Sequence, residues 1–276
     1  MTIALEALDS RYFLPQPGLD RAWLDGAIGD VLIRLDAMLP RFTATFPAAS
    51  ASHGRYESVE RVDWTEGFWT GMLWLAWEVT GDEKYRAVAE SLLDSFEERL
   101  DKEIKVDTHD LGFLYLLSCV NAWKLTGNLR ARELALRAAE LLYRRFHATA
   151  GVIQAWGDLN DPARQGRMII DCNLNVPLLF WAANETGNPR WREAASRHLA
   201  QAARYLVRED ASTFHTFYMD VHNGKPLRGD THQGFSDSSC WSRGQAWGIY
   251  GFALGYTHTG DAWQPELSRS EERRVG

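Results

Sequence analysis

One short turn recurs along this chain and limits its architecture more than any other feature. It reads Trp77-Glu-Val-Thr-Gly-Asp82, Trp123-Lys-Leu-Thr-Gly-Asn128, Asn184-Glu-Thr-Gly-Asn188 and Tyr256-Thr-His-Thr-Gly-Asp261. Glycine just past a helix end accepts the left-handed backbone that stops the helix. The Asp or Asn that follows can cap the next helix through its side-chain oxygen. Thr-Gly-Asp/Asn is therefore the turn of an αα-hairpin, and its repetition predicts a chain built from helix pairs.

The two members of each pair differ in character. Segments before the turns (64–79, 109–125, 169–185 and 240–257) are rich in Trp, Gly, Ala and Phe, so they are predicted to be buried on most sides. Those after the first three turns (83–100, 129–147 and 189–208) set Arg and Glu beside Leu/Ala stripes at helical spacing and keep one wet face. Buried helices ringed by amphipathic ones make an all-α protein of the α/α-toroid type. An open solenoid is the alternative, although its helices rarely bury so many Trp. Long segments at 148–167 and 209–239 follow two pairs. With Phe214-His215-Thr-Phe-Tyr218 and Gly229-Asp-Thr-His-Gln-Gly234, the second suits a binding rim better than a solvated connector.

Composition excludes several classes. The 276 residues are 45% hydrophobic, enough for one large core, and the 12 Trp and 12 Phe belong in a core or a ligand cleft. A net charge of −7 without a basic cluster argues against nucleic acid and against an anionic membrane. Cys119, Cys172 and Cys240 are odd in number and far apart, in apolar or helical contexts, so they are expected reduced and mostly buried. The N-terminus lacks a basic region and carries early acids, unlike a signal peptide, and apolar runs fall short of a membrane span; a cytoplasmic protein is expected. Residues 269–276 resemble the translation of a common sequencing adapter, and no amphipathic helix follows Trp263. The sequence thus predicts one toroid domain over 1–263, a non-native tail over 264–276, and a six-pair ring left open. Such a chain is expected to expose inner apolar surface and to be poorly soluble or inactive as written.

Candidate chemistry centres on two aspartates, Asp110 in Thr108-His-Asp-Leu-Gly-Phe113 and Asp171 in Met168-Ile-Ile-Asp-Cys-Asn-Leu-Asn175. An acid among apolar helical residues is costly to desolvate unless paired, hydrogen-bonded or used. Helix capping and catalysis are both open for each; two acids converging on one cavity would suit acid/base work on a sugar. Asn175, four residues after Asp171, would share its helical face and could hydrogen-bond it. His109 precedes Asp110, and Trp156 lies on the segment before Asp171. Asp63-Trp64 opens an inner helix and could offer a sugar platform. Arg243 and Trp247 align at i,i+4, and the guanidinium suits a carboxylate or sulfate, or else a buried ion pair. The Trp residues could instead be plain core, and His109 and His215 structural. No His-x-x-x-His or carboxylate cluster has metal spacing, so neither metal nor cofactor is expected.

The segments Asp63–Met72, His109–Phe113, Ile170–Ala182 and Arg243–Gly251 together resemble the unsaturated glucuronyl hydrolases of glycoside hydrolase family 88, in register from about Trp64 to Gly260. These bacterial enzymes act after polysaccharide lyases on glycosaminoglycan or related uronate fragments. The unsaturated rhamnogalacturonyl hydrolases, acting on pectin fragments, are the neighbouring possibility, and a non-catalytic glycan- or protein-binding scaffold is the non-enzymatic one. The resemblance implies an (α/α)6 barrel and metal-free hydrolysis of a 4,5-unsaturated uronic acid at the non-reducing end of an oligosaccharide. Asp171 would protonate C4 of the vinyl ether and activate the water that adds at C5. The hemiketal would then open and expel the aglycone. Asp110 would be its partner. Substrate would meet Trp64, Trp156, His215, Gln233, Arg243 and Trp247, with His109 and Asn175 beside the two acids.

Overall fold

A computed structural model describes residues 20–61, 63–265 and 267–268. The four predicted turns form. Gly81, Gly127, Gly187 and Gly260 adopt φ of 70°, 71°, 72° and 76°. Asp82, Asn128 and Asn188 then accept the backbone N–H of Lys84, Ala131 and Arg190, capping the next helix. The threonine has a function of its own. Thr80, Thr126 and Thr186 donate to the carbonyl four residues back at 2.6, 2.6 and 2.7 Å. Thr80 and Thr186 also accept the N–H of the following cap residue.

The elements run α1 (Arg21–Met38), β1 (Phe46–Ser52), β2 (Arg55–Val59), α2 (Glu66–Thr80), α3 (Glu83–Ser91) and α4 (Leu93–Asp101). Next come α5 (Leu111–Tyr115), α6 (Asn121–Thr126), α7 (Leu129–Tyr143), β3 (Phe146–His147), β4 (Val152–Ile153) and β5 (Arg167–Ile169). The described elements end with α8 (Pro177–Thr186), α9 (Pro189–Tyr205), β6 (Thr216–Met219), β7 (Pro226–Asp230) and α10 (Ser242–Thr259). Helices α2, α5–α6, α8 and α10 are inner; α3–α4, α7 and α9 are outer. This is the all-α toroidal plan of helix hairpins. The outer layer is laced by Arg130 to Asp94 at 2.7 Å, Arg137 to Asp101 at 2.6 Å and Arg190 to Glu140, exposed pairs worth about 0–1 kcal/mol each. The main core joins Trp69, Trp74, Tyr115 and Phe180, and a second cluster gathers Met168, Ile170, Met219 and Phe252 beneath α10.

Several details depart from the sequence reading. The helix expected over 109–125 starts at Leu111 and passes through a π turn at Leu116–Val120. The one expected over 169–185 is a 3-10 turn, Ile170–Leu174, followed by α8. Pro177 explains the second break: its ring would meet the carbonyl four residues earlier in a continuous helix, so it opens a new one. The segments expected as long loops contain short strands, including a three-stranded antiparallel sheet in the order β5-β6-β7. Cys119 and Cys172 are buried, whereas Cys240 is exposed, a correction to the expectation for that thiol. The N-terminal residues that argued against a signal peptide lie outside the described residues, as do 266 and 269–276 of the expected tail. Gln264 and Ser268 are buried, with the Ser268 hydroxyl donating to the Ile249 carbonyl at 2.7 Å, so packing against α10 continues past 263. Among the described residues no helix is long and apolar enough to cross a membrane.

Candidate active site

Asp110 occupies the N-cap position of α5, yet its carboxylate makes no cap hydrogen bond. Its Oδ2 instead accepts from the Thr108 hydroxyl at 2.8 Å, and its Oδ1 lies 3.4 Å from His109 Nε2. Asp171 sits in the 3-10 turn, just after β5. The pairing of Ile169 with Thr216 and the bond from Ile170 N–H to His215 O at 3.1 Å fix that turn against β6. From above, α10 presses on it where Gly251 approaches Asn173; a Cβ there would lie 2.4 Å from Asn173 Cβ.

Burial governs the charge state of both acids. It pushes Asp171 up to about 7, and the charge of Asp110 acts in the same direction while Arg243 opposes it. Burial likewise raises Asp110 to about 6 against the Thr108 hydrogen bond, helped by the charge of Asp63. Near neutral pH Asp171 therefore keeps a share of its proton while Asp110 is the more ionised of the two. Asp171 Oδ1 and Trp247 Nε1 are both buried and short of a well-formed hydrogen bond, although the indole N–H bears on the Asp171 carboxyl and pulls it down. Groups of this kind suit a polar ligand that satisfies them.

A continuous wall of rings surrounds the pair. His109 meets Trp156 at 6.3 Å between ring centroids, Trp156 meets His232 at 5.4 Å, and His232 stacks near His215 at 6.3 Å. His215 abuts Trp241 at 4.9 Å, and the Arg243 guanidinium lies over Trp241 at 4.5 Å and over Trp64 at 5.8 Å. Trp64 touches Phe113 at 5.2 Å, which in turn meets Trp247 at 5.5 Å. A cleft of about 350 Å³ opens beside this wall between Trp64, Asp110 and Trp156, with Lys105 and Arg164 also on its lining. Desolvation first, and then neighbouring basic side chains, depress His109 to about 3 and His215 to about 4, so both rings are neutral. The backbone N–H of His232 donates to His215 Nδ1 at 2.9 Å, which leaves the ring proton on Nε2.

Of the residues read from the sequence, Trp64, His109, Trp156, His215, Gln233, Arg243 and Trp247 are linked through this wall. Gln233 joins it by accepting from Arg243 Nη2 at 3.0 Å. Arg243 is exposed and makes no ion pair among the described residues, unlike the buried-pair alternative. Asn175 is the exception. It shares no α-helical face with Asp171, because the intervening turn is 3-10, and it is fully buried with both ends of its amide on backbone groups. His232 and Trp241 complete the wall and were not singled out from the sequence. The only signal was their place beside Gln233 and Ser242-Arg243. Among the described residues no group of three or more His, Cys, Asp or Glu side chains is placed to hold a metal ion.

This arrangement lies inside a match to Glycosyl Hydrolase Family 88 that extends over residues 36–258. The chain belongs to that family. It is similar to an unsaturated glucuronyl hydrolase of Bacillus sp. strain GL1, 51% identical over 236 residues covering 86% of this chain and 63% of that protein. An unsaturated chondroitin disaccharide hydrolase of Streptococcus pneumoniae is 43% identical over 249 residues, covering 90% and 63% of the two chains. Among solved structures, the unsaturated glucuronyl hydrolase of Streptococcus agalactiae superimposes with a TM-score of 0.93 at 39% identity, covering 98% of this chain and 68% of that one. This family 88 chain thus spans less than two thirds of the length of the two curated relatives.

Proposed function

We propose that the site hydrolyses lyase-generated, glycosaminoglycan-type oligosaccharides, releasing the 4,5-unsaturated uronic acid from the non-reducing end, within a single helical domain. The observation that carries this reading is the contact of the two acid-bearing segments, Gly112 of α5 against Asn175 at the end of the Asp171 turn, with burial raising both acids. Names of the relatives support the substrate class, since one acts on unsaturated glucuronyl groups and another on an unsaturated chondroitin disaccharide.

The chemistry follows from the charge states. Asp171, protonated, gives its proton to C4 of the enol ether, and positive charge develops at C5 and the ring oxygen. Ionised Asp110 opposes loss of the proton from Asp171 before substrate arrives and favours the developing cation afterwards. Water adds at C5 while Asp171, now a carboxylate, takes its proton and returns to the starting state. The C5 hemiketal opens to a ketone by breaking its bond to the ring oxygen. C1 is left as a hemiacetal that collapses and releases the aglycone. Indole faces of Trp64 and Trp156 hold the sugar ring, and Arg243 reads its carboxylate. The neutral rings of His109 and His215 and the Gln233 amide offer hydrogen bonds to sugar hydroxyls.

At a concentration low enough to keep the chain dispersed, incubation with an unsaturated chondroitin disaccharide should bleach the ultraviolet absorbance of the conjugated C4=C5 bond, turnover being proposed here in place of the inactivity expected of an open ring. Asp171→Asn should reduce the rate by about 10³-fold or more, because the proton to be transferred is gone. A folded Asp171→Asn protein that bleaches substrate at the unaltered rate overturns the assignment.

A further inference from the structure

Asn175 ends the 3-10 turn that carries Asp171, and its side chain joins that turn to α5, the segment that carries Asp110. Its Oδ1 accepts the backbone N–H of Phe113 at 2.7 Å, across 62 residues of sequence, and its Nδ2 donates to the Asp171 carbonyl at 3.2 Å. One partner is a donor and the other an acceptor, so the orientation of the amide is fixed by chemistry. Phe113 is the third residue of α5, and a helix leaves that N–H for the N-cap side chain. Asp110 holds the N-cap position and does not fill the role. Asn175 fills it from elsewhere in the chain.

The backbone contact is equally close. A Cβ on Gly112 would fall 2.2 Å from Asn175 Cα and 2.4 Å from its carbonyl oxygen, so α5 and the Asp171 turn touch with no side chain between them.

We infer that Asn175 is the positioning residue of the acid pair: by capping α5 in trans it releases the Asp110 carboxylate toward Asp171, and its other end clamps the Asp171 turn to α5. The inference deepens the function proposed above for the same site and rests on that reading only for its consequence in catalysis. Without Asn175, Asp110 becomes the nearest acceptor for the orphaned first-turn N–H groups of its own helix. A carboxylate turned inward to cap is one turned away from its neighbour. Asp171 then loses the like charge that faces it from α5, while Arg243 still faces it from α10; Asp63 and Arg145 continue to act on Asp110.

The test is a carboxyl-carbon NMR titration of Asp171 in the whole chain, which needs no substrate. Asn175→Ala should lower the Asp171 midpoint by about half a unit or more, because a like charge has moved away. Asn175→Ser should do the same, since a hydroxyl is too short to span both partners, and it serves if the alanine variant does not fold. Either variant, folded, with the midpoint unchanged overturns the proposal. A merely structural role would lower stability and leave the midpoint in place. If neither variant folds, exchange of the Phe113 amide in the unaltered chain decides: protection of about 100-fold or more relative to a free amide is expected, and solvent-like exchange overturns the cap. An unchanged midpoint with substrate still bleached counts against the clamp alone. A shifted midpoint in the variants, with no bleaching by the unaltered chain, counts against the proposed reaction alone.

Discussion

At the scale of single residues, the site depends on two carboxyls of one chemical type held in different charge states. Nothing in the side chains distinguishes them; burial and mutual repulsion do. The pair titrates as a unit, so activity should follow a bell. The rate should rise as pH passes about 6, when Asp110 ionises, and fall as pH passes about 7, when Asp171 loses the proton it must donate. Asp110→Asn removes the charge that helps hold that proton. Its basic limb should therefore move to lower pH and its acidic limb should vanish, measured as kcat against pH. A basic limb unmoved by Asp110→Asn would separate the two acids. The sequence located both aspartates but left capping and catalysis open. Asp110 could not be decided locally, because the group that replaces it as a cap lies 62 residues beyond Phe113.

At the scale of elements, glycine serves two different purposes, and alanine substitution distinguishes them. Gly127 has φ of 71° and open space around its Cα, so Gly127→Ala should cost about 1 kcal/mol of backbone strain and leave the rate unchanged. Gly112 has ordinary helical backbone but Asn175 Cα in the way of any Cβ. Gly112→Ala must push α5 off the Asp171 turn, costing about 1–3 kcal/mol and at least a tenfold loss of rate. Urea unfolding with parallel rate measurements checks both; equal effects at the two positions would remove the distinction. Periodicity made the helix pairs legible, since Thr-Gly-Asp/Asn acts through adjacent residues. The strands 167–169, 216–219 and 226–230 were not legible, because a run this short cannot establish an alternating pattern and its partners lie far away in sequence. The break before α8 is carried by Pro177 alone, inside an apolar run that otherwise reads as one helix.

At the scale of the whole molecule, the inner helices present an unusual face. Leu75 and Val79 of α2 are each 59% exposed and Tyr250 of α10 is 55% exposed, beside a groove of about 290 Å³ lined by Phe68, Met72, Phe113 and Trp247. Apolar surface of this kind attracts hydrophobic dyes and other chains. The chain should enhance the fluorescence of an anilinonaphthalene sulfonate dye and scatter more light as its concentration rises, and Leu75→Glu should reduce both. An unaltered chain that is monodisperse and does not bind the dye would overturn this expectation. Phe113 and Trp247 border this groove and the acid pair alike, so the packing of one face reaches the other through two rings. The antiparallel ladder of Ile169 with Thr216 has a different consequence. Because His215 and Asp171 flank the two paired strands, removing one residue from 216–219 would turn the imidazole to the opposite side of the ribbon and carry it away from Asp171. Lengthening the tip at 220–225 would leave both where they are. The ribbon can therefore take up an insertion at that tip, whereas the ladder itself tolerates no change in length.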